Sequence, residues 1–348
     1  MKKKMTGLLL TVAMAVSMAG CGAKNDATAT TEAAASETTV SETAAAEGNG
    51  GNSGEFPSKQ ISIICPYSAG GAADTVSRAV AAEMQNTLGV PVVVVNKTGA
   101  AGAVGMAEGK SAKADGYTIT YVPVESTFLK FLDMSDVTAS DFKLIGRVMT
   151  MPASIVVKAD AQWNTLDEFV AYAKEHPAEI TVGNPGSGSN FYMAAKALEN
   201  AADVTFTHVP FEGSSAAITA LLGGNITAAS IAPGEAAANI GENGDLKVLA
   251  LLSGEASSTF PEIPVAKDLG YDVSFQGWAS FGVPTGTSDD IVEVLENALA
   301  EAADTDTVKN VLETKGFDFA YLNGADMTAF ANEEQTKYED IISKLGLK

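Results

Sequence analysis

Histidine and cysteine are scarce: the 348 residues contain two of each, and aromatic residues make up only 7%. Cys21 and Cys65 are too few for a thiolate metal cluster. His176 precedes a proline at a helix end and His208 lies at a strand end, places where a lone histidine usually makes a structural hydrogen bond. No HExxH pair occurs, so a metal hydrolase would have to be built from carboxylates alone, and neither metal nor cofactor is expected. No GxSxG elbow frames a serine-rich loop, which leaves Ser187 and Ser189 without a placed base and argues against a secreted serine hydrolase. Cations are also few. The 22 Lys and Arg stand against 43 Asp and Glu, a formal charge of -21 that disfavours nucleic acid and anionic membrane as partners. Beyond the leader, no stretch is long and apolar enough to span a bilayer.

The chain begins MKKKMTGLLLTVAMAVSMAGC, with three early lysines, a short apolar run and small residues before Cys21. That is the layout of an export signal. Met18-Ala19-Gly20-Cys21 resembles the bacterial lipobox, which implies that residues 1–21 comprise a signal peptide ending at a lipidated Cys21. Cys65 is then the remaining thiol, with no partner for an intrachain disulfide. Residues 22–55 are mostly Ala, Thr, Ser, Glu and Gly and bury too little to offset their ordering entropy, so they are expected to form a flexible tether. Leader and tether together predict a globular part on the extracytoplasmic face of a bacterial membrane, held there through the lipid alone.

From Phe56 onward, strand and helix patterns alternate, and 46% hydrophobic residues suffice for packed α/β layers. KQISIIC, PVVVVN and YTITYVP read as strands, with the helical DTVSRAVAAEMQNTLG between the first two. The plan recurs in SIVVKAD, TLDEFVAYAKEHPAE and EITVGNPGSGSNFYMAAKALEN. Alternation of this kind predicts an α/β fold with mainly parallel sheets flanked by helices, and ligand sites at the carboxyl ends of strands. Two such blocks, each with a small-residue loop, predict two lobes facing a shared cleft.

The two loops are CPYSAGGAAD at 65–74 and GNPGSGSN at 183–190. The second has the glycine spacing of a phosphate loop, but Ser189 stands where the motif needs lysine. GAAGAVG at 99–105 has GxxGxxG spacing and reads as a close-packed turn, not a dinucleotide loop. Both serine-rich loops precede helices, whose first turns leave N–H groups without partners and carry partial positive charge. Gly70 and Gly71 let an anion approach the backbone, and Ser68, Ser187 and Ser189 can add hydroxyl donors. The pair therefore reads as an anion cradle.

KQISIICPYSAGGAADTVSRAVA, PVVVVNKTGAAGAVG, ADGYTITYVP, GNPGSGS, HVPFEGSSAAITALLGGNITAA and FPEIPVAKDLGYDV with GWASFGVPTGT follow in order from about Phe56 to the C-terminus. They resemble the successive blocks of the substrate-binding proteins of tripartite tricarboxylate transporters, the Bug family. The resemblance implies a two-lobed, periplasmic-binding-protein-like clamp, with residues 56–152 and 276–348 as lobe 1 and 153–275 as lobe 2. It implies a monomeric receptor, not an enzyme, that holds a small di- or tricarboxylate or related acid and delivers it to integral-membrane permease subunits. Ligand contacts then fall on Tyr67, Ser68, Ala69, Gly70, Gly71 and Asp74, and on Asn184, Gly186, Ser187, Gly188, Ser189 and Asn190. Asp74, an acid in the first turn of its helix, fits a capping role better than ligand contact. Other readings are a receptor of similar shape for another transporter or a sensor, and, far behind, the hydrolase. Departures from the family pattern bear on specificity: Asn184, Tyr192, Glu212 and Lys97 replace commoner serine, histidine, lysine and arginine. They admit a ligand carrying an amino group or an uncharged tail.

The anchor expectation is tested by Cys21→Ser. The variant is expected to remain unprocessed or to lose detergent-phase partitioning while its folded part still binds ligand; partitioning equal to the parent overturns the lipoprotein assignment.

Overall fold

The computed structural model describes residues 56–241 and 243–346. Cys21, the leader and the tether at 22–55 lie outside them. The first block runs through β1 (Ile61–Cys65), α1 (Ala72–Leu88), β2 (Val92–Asn96), α2 (Ala103–Lys110), β3 (Thr118–Val122) and a long β4 (Phe142–Pro152). Ile61, Ile63 and Cys65 are fully buried, as a continuous apolar run requires when helices cover both faces of a strand. Helix α1 buries Ala73, Val76, Val80 and Met84, spaced by three and four residues. It stops at Gly89, whose φ of 67° turns the backbone left-handed and returns its N–H to the Gln85 carbonyl.

The second block contains β5 (Ser154–Lys158), α3 (Leu166–Glu175), β6 (Thr181–Asn184), α4 (Asn190–Ala202), β7 (Thr207–Pro210), α5 (Ser214–Leu222), β8 (Ala228–Ile231) and β9 (Leu246–Leu251). Thr165 caps α3 by accepting from the Glu168 N–H at 3.2 Å, and the Glu168 carboxylate accepts from the Asn164 N–H. The chain then returns through β10 (Gln276–Pro284), α6 (Asp289–Asp304), α7 (Asp306–Lys315), β11 (Asp318–Leu322) and α8 (Gly324–Leu345).

The strands form a six-stranded sheet, ordered β11-β4-β10-β3-β1-β2, and a five-stranded sheet, ordered β7-β6-β8-β5-β9. Strand β1 lies parallel between β2 and β3, and β6 lies parallel between β7 and β8. The remaining pairings are antiparallel. The α/β architecture with two sheets is as expected, but the sheets are mixed where the sequence reading has them mainly parallel. The reason is the crossing: β4, β5 and β10 carry the chain from one sheet to the other and back, and each runs against its neighbours. β4 and β10 pair as far as Pro152 and Gln276. At the crossing itself the Ala153 N–H donates to Phe275 O at 3.2 Å, the Leu252 N–H to Ala153 O at 2.7 Å, and the Phe275 N–H to Leu252 O at 2.7 Å.

One apolar cluster passes through this junction, from Met106 and Phe128 to Ile155, Phe169 and Leu198, with Tyr338 and Ile342 of α8 in the same cluster. The rings of Phe128 and Phe275 each lie 5.2 Å from that of Tyr338. Phe128 is fully buried, so Phe128→Ala is expected to cost about 3–5 kcal/mol through lost transfer energy and the cavity left behind. A urea titration checks this; an unchanged midpoint would show that the junction contributes little to stability.

Candidate functional site

In each sheet a strand flanked by two parallel neighbours is followed by a glycine-rich loop and a helix. The carboxyl end of such a strand is a topological switch point, where α/β sheets leave room for a ligand. The loops after β1 and β6 therefore occupy equivalent stations, as the recurring sequence plan implies.

In the first loop Tyr67 is half-buried while Ser68, Ala69, Gly70 and Gly71 are exposed. Gly70 has a φ of 82° and needs the freedom of glycine, whereas Gly71 sits at -75°. The Gly70 N–H donates to Asp74 Oδ2 at 2.8 Å. Arg78 grips both Asp74 oxygens, Nε to Oδ2 at 2.9 Å and a terminal nitrogen to Oδ1 at 2.8 Å, and Asn96 donates to Oδ1 at 2.8 Å. Asp74 is 3% exposed. Burial alone would raise its pKa, but donation from Arg78, Gly70 and Asn96 outweighs it and holds the carboxyl below its ordinary value. Asp74 thus ties the loop to its own helix and to β2. No side chain caps α1, so its first-turn amides stay open beside an exposed loop.

The second loop is tied more tightly. Ser189 is the N-cap of α4: its hydroxyl accepts from the Tyr192 N–H at 3.1 Å and donates to Gly186 O at 2.8 Å. That proton is engaged within the loop, unlike the exposed hydroxyl of Ser187. Gly186 has a φ of 113°. Gly188 is buried, and a Cβ there would stand 2.6 Å from Met134 Cε and 3.3 Å from Ala101 Cβ. Asn184 and Asn190 are 0% and 1% exposed, and neither polar atom of either side chain has a partner among the described residues. Ala101 belongs to the 99–105 turn, whose residues Gly99, Ala100, Ala101 and Gly102 have φ values of 135°, 46°, 52° and 92°. That turn packs onto the first loop, since a Cβ on Gly105 would lie 2.8 Å from Pro66 Cα.

Sequence reasoning missed Glu125. It lies in the short 3-10 turn Val124–Thr127 that follows β3, beside the end of β1 because β1 and β3 are parallel neighbours. Its Oε2 accepts from the Tyr67 hydroxyl at 2.9 Å and its Oε1 from the Asn190 N–H at 3.2 Å, so one carboxylate joins both loops. It is 7% exposed. Burial pushes its pKa up against backbone and Tyr67 hydrogen bonds that lower it. The signal was an acid in the otherwise apolar, small-residue run YVPVEST, visible only once the β3 exit is recognised as part of the site.

The remaining candidates have structural roles. The His208 ring nitrogen meets Glu199 at 3.1 Å, and Tyr192 packs edge-on against that ring at 5.0 Å. His176 stacks on Tyr172 at 4.1 Å. Lys97 pairs with Glu108 at 3.0 Å, and Glu212 is exposed. Burial pushes the Cys65 thiol above its ordinary value, an inert setting for a nucleophile. Among the described residues no cluster of His, Cys, Asp and Glu could hold a metal ion, and no helix is long and apolar enough to cross a membrane.

The model of the family described as "Tripartite tricarboxylate transporter family receptor" (TctC) matches residues 76–347. A UPF0065 protein encoded in the gbd 5′ region of Cupriavidus necator is 32% identical over 294 residues, 84% of this chain and 89% of that protein. A TctC solute binding protein from Polaromonas, solved with no ligand, is 35% identical with a TM-score of 0.70, covering 83% of this chain and 99% of that one. MatC from Rhodopseudomonas palustris, solved with bound malate, is 25% identical with a TM-score of 0.73, covering 82% of this chain and 100% of that one.

Two outcomes follow from the loop geometry. Ser189→Ala is expected to lower unfolding stability by about 1 kcal/mol through loss of the helix cap, read by thermal unfolding. Because the Asp74 carboxyl is depressed in the folded state, its contribution is present at neutral pH and is lost as pH falls through that depressed value. Asp74→Asn should therefore destabilise the protein at neutral pH, with the gap to the parent narrowing on acidification. Urea unfolding across the acid range tests this, and a gap independent of pH would contradict it.

Proposed function

The chain belongs to the tripartite tricarboxylate transporter receptor family, and from that membership and the loop geometry we propose a lipid-anchored extracytoplasmic solute receptor. It captures a small organic carboxylate between loops 67–74 and 184–190 and delivers it to a membrane permease. The observation that carries this reading is the pair Asn184 and Asn190. Four side-chain polar atoms are buried there without protein partners; buried polar groups ordinarily find partners, and two whole amides in the second loop call for a polar occupant. The open first turn of α1 supplies amide donors and partial positive charge for an anion. The malate held by MatC supports a carboxylate as the ligand class.

Residues 56–152 with 276–348 make one lobe and 153–275 the other, a division supported by the change of sheet between β4 and β5 and again between β9 and β10. The lobes close on the ligand by bending at the crossing. The protein performs no chemistry on its cargo, a reading supported by the engaged hydroxyl of Ser189 and the raised Cys65 thiol. Cys21 carries the lipid, and the tether at 22–55 lets the receptor reach its permease.

Thermal shift with a panel of mono-, di- and tricarboxylates and their methyl esters tests the reading. A true ligand at about a hundred times its dissociation constant adds roughly 2.7 kcal/mol of stability. The ester is expected to shift the midpoint far less, and the unchanged acid should be recovered afterwards. Gly70→Val, which forces a branched residue to a φ of 82°, is expected to abolish the shift. Equal shifts from acid and ester would place recognition elsewhere.

A further inference from the structure

Glu125 gives the site a negative charge of its own. Its two carboxyl oxygens lie 2.9 Å from the Tyr67 hydroxyl and 3.2 Å from the Asn190 N–H, contacts that a carboxylate accepts on both sides. No Lys, Arg or His pairs with it among the described residues. Buried charges are ordinarily paired. The cations that pack by the first loop are committed elsewhere: Arg78 to Asp74, and Lys97 to Glu108.

Glu125 also stands between the two loops. Tyr67 opens the first loop and Asn190 closes the second, and this carboxylate bonds to both. A ligand gripped by the two loops lies beside it. Its Oε1 occupies the N–H of the first residue of α4, which is therefore already serving a carboxylate. The helix start left open is that of α1.

We propose that Glu125 is a specificity-determining residue, selecting a carboxylate ligand that also carries an ammonium group, with the ligand's carboxylate at the start of α1 and its ammonium at Glu125. Asn184 and Asn190, whose buried side-chain amides have no partners among the described residues, complete the polar wall by accepting from the ammonium and donating to the ligand's oxygens. A ligand with carboxylates alone puts like charges together in a buried place, whereas an amino-acid type of ligand supplies the cation the site lacks. The inference rests on the carboxylate-receptor reading and sharpens it.

Matched pairs that differ only by the ammonium group test it: aspartate and succinate, glutamate and glutarate, alanine and propionate, titrated calorimetrically into the full chain and into Glu125→Gln. The parent is expected to prefer the amino member of at least one pair by about tenfold or more, and Glu125→Gln to lose that preference, weakening the amino member and strengthening its partner. Glu125→Asp, which keeps the charge, should retain a preference. Should Glu125→Gln fail to fold, the parent's ratios decide: a parent that binds at least one of these acids but prefers the amino member in none of the three pairs overturns the inference while the receptor reading stands. A preference that survives in a folded Glu125→Gln overturns it equally. If no compound of either kind binds the parent, the carboxylate-receptor reading falls and this inference with it.

Discussion

Everything in this molecule hangs on the three-stranded crossing at Ala153, Leu252 and Phe275. Their backbone groups hydrogen-bond to one another where the chain leaves the first sheet and returns to it. Because both passages run side by side, the sheets cannot slide apart without breaking these bonds or opening the apolar cluster that includes Phe128 and Tyr338, which leaves rotation about the seam as the available motion. The crossing also fixes direction: with β4 and β10 antiparallel through it, the parallel trios around β1 and β6 keep their own orientation on either side. Loops at the carboxyl ends of those trios therefore meet across the gap, and the site follows from the connectivity.

Much of this was legible in the residues. Continuous apolar runs marked β1 and β2, the small-residue loops announced the exits of β1 and β6, and Gly89 ended α1 where expected. What escaped was long-range. That the sheets are mixed depends on which strands carry the crossing, and no local pattern in FKLIGRVMTMP or QGWASFGVP records a partner's direction. The role of Glu125 depended on two contacts at separations of 58 and 65 residues, so nothing within its own turn could reveal it. Ser189 shows a subtler gap: it was read as able to add a hydroxyl donor, and no local pattern shows that its proton goes to Gly186 O while its oxygen caps the helix through the Tyr192 N–H.

The two loops look alike in composition and differ in electrostatics. Around α1 the acid Asp74 is drawn inward and neutralised by Arg78, leaving the first-turn amides free. At α4 the cap and a foreign carboxylate are already in place. Surface charge far from either loop matters little at physiological salt, where fields decay over about 8 Å, so the overall acidity of the chain and the capture of an anion are compatible.

Gly188 packs so closely that an added methyl would press on Met134 and on Ala101, itself held at a φ of 52° that alanine rarely adopts. These three positions come from separate segments yet share one small volume, so they form a steric gauge that sums their side chains. Met134 is 39% exposed and its thioether end can swing aside, so in divergent descendants of this chain bulk gained at 188 should be met first by the side chain at 134 and only then by loss of the methyl at 101, an accommodation driven by space and not by charge.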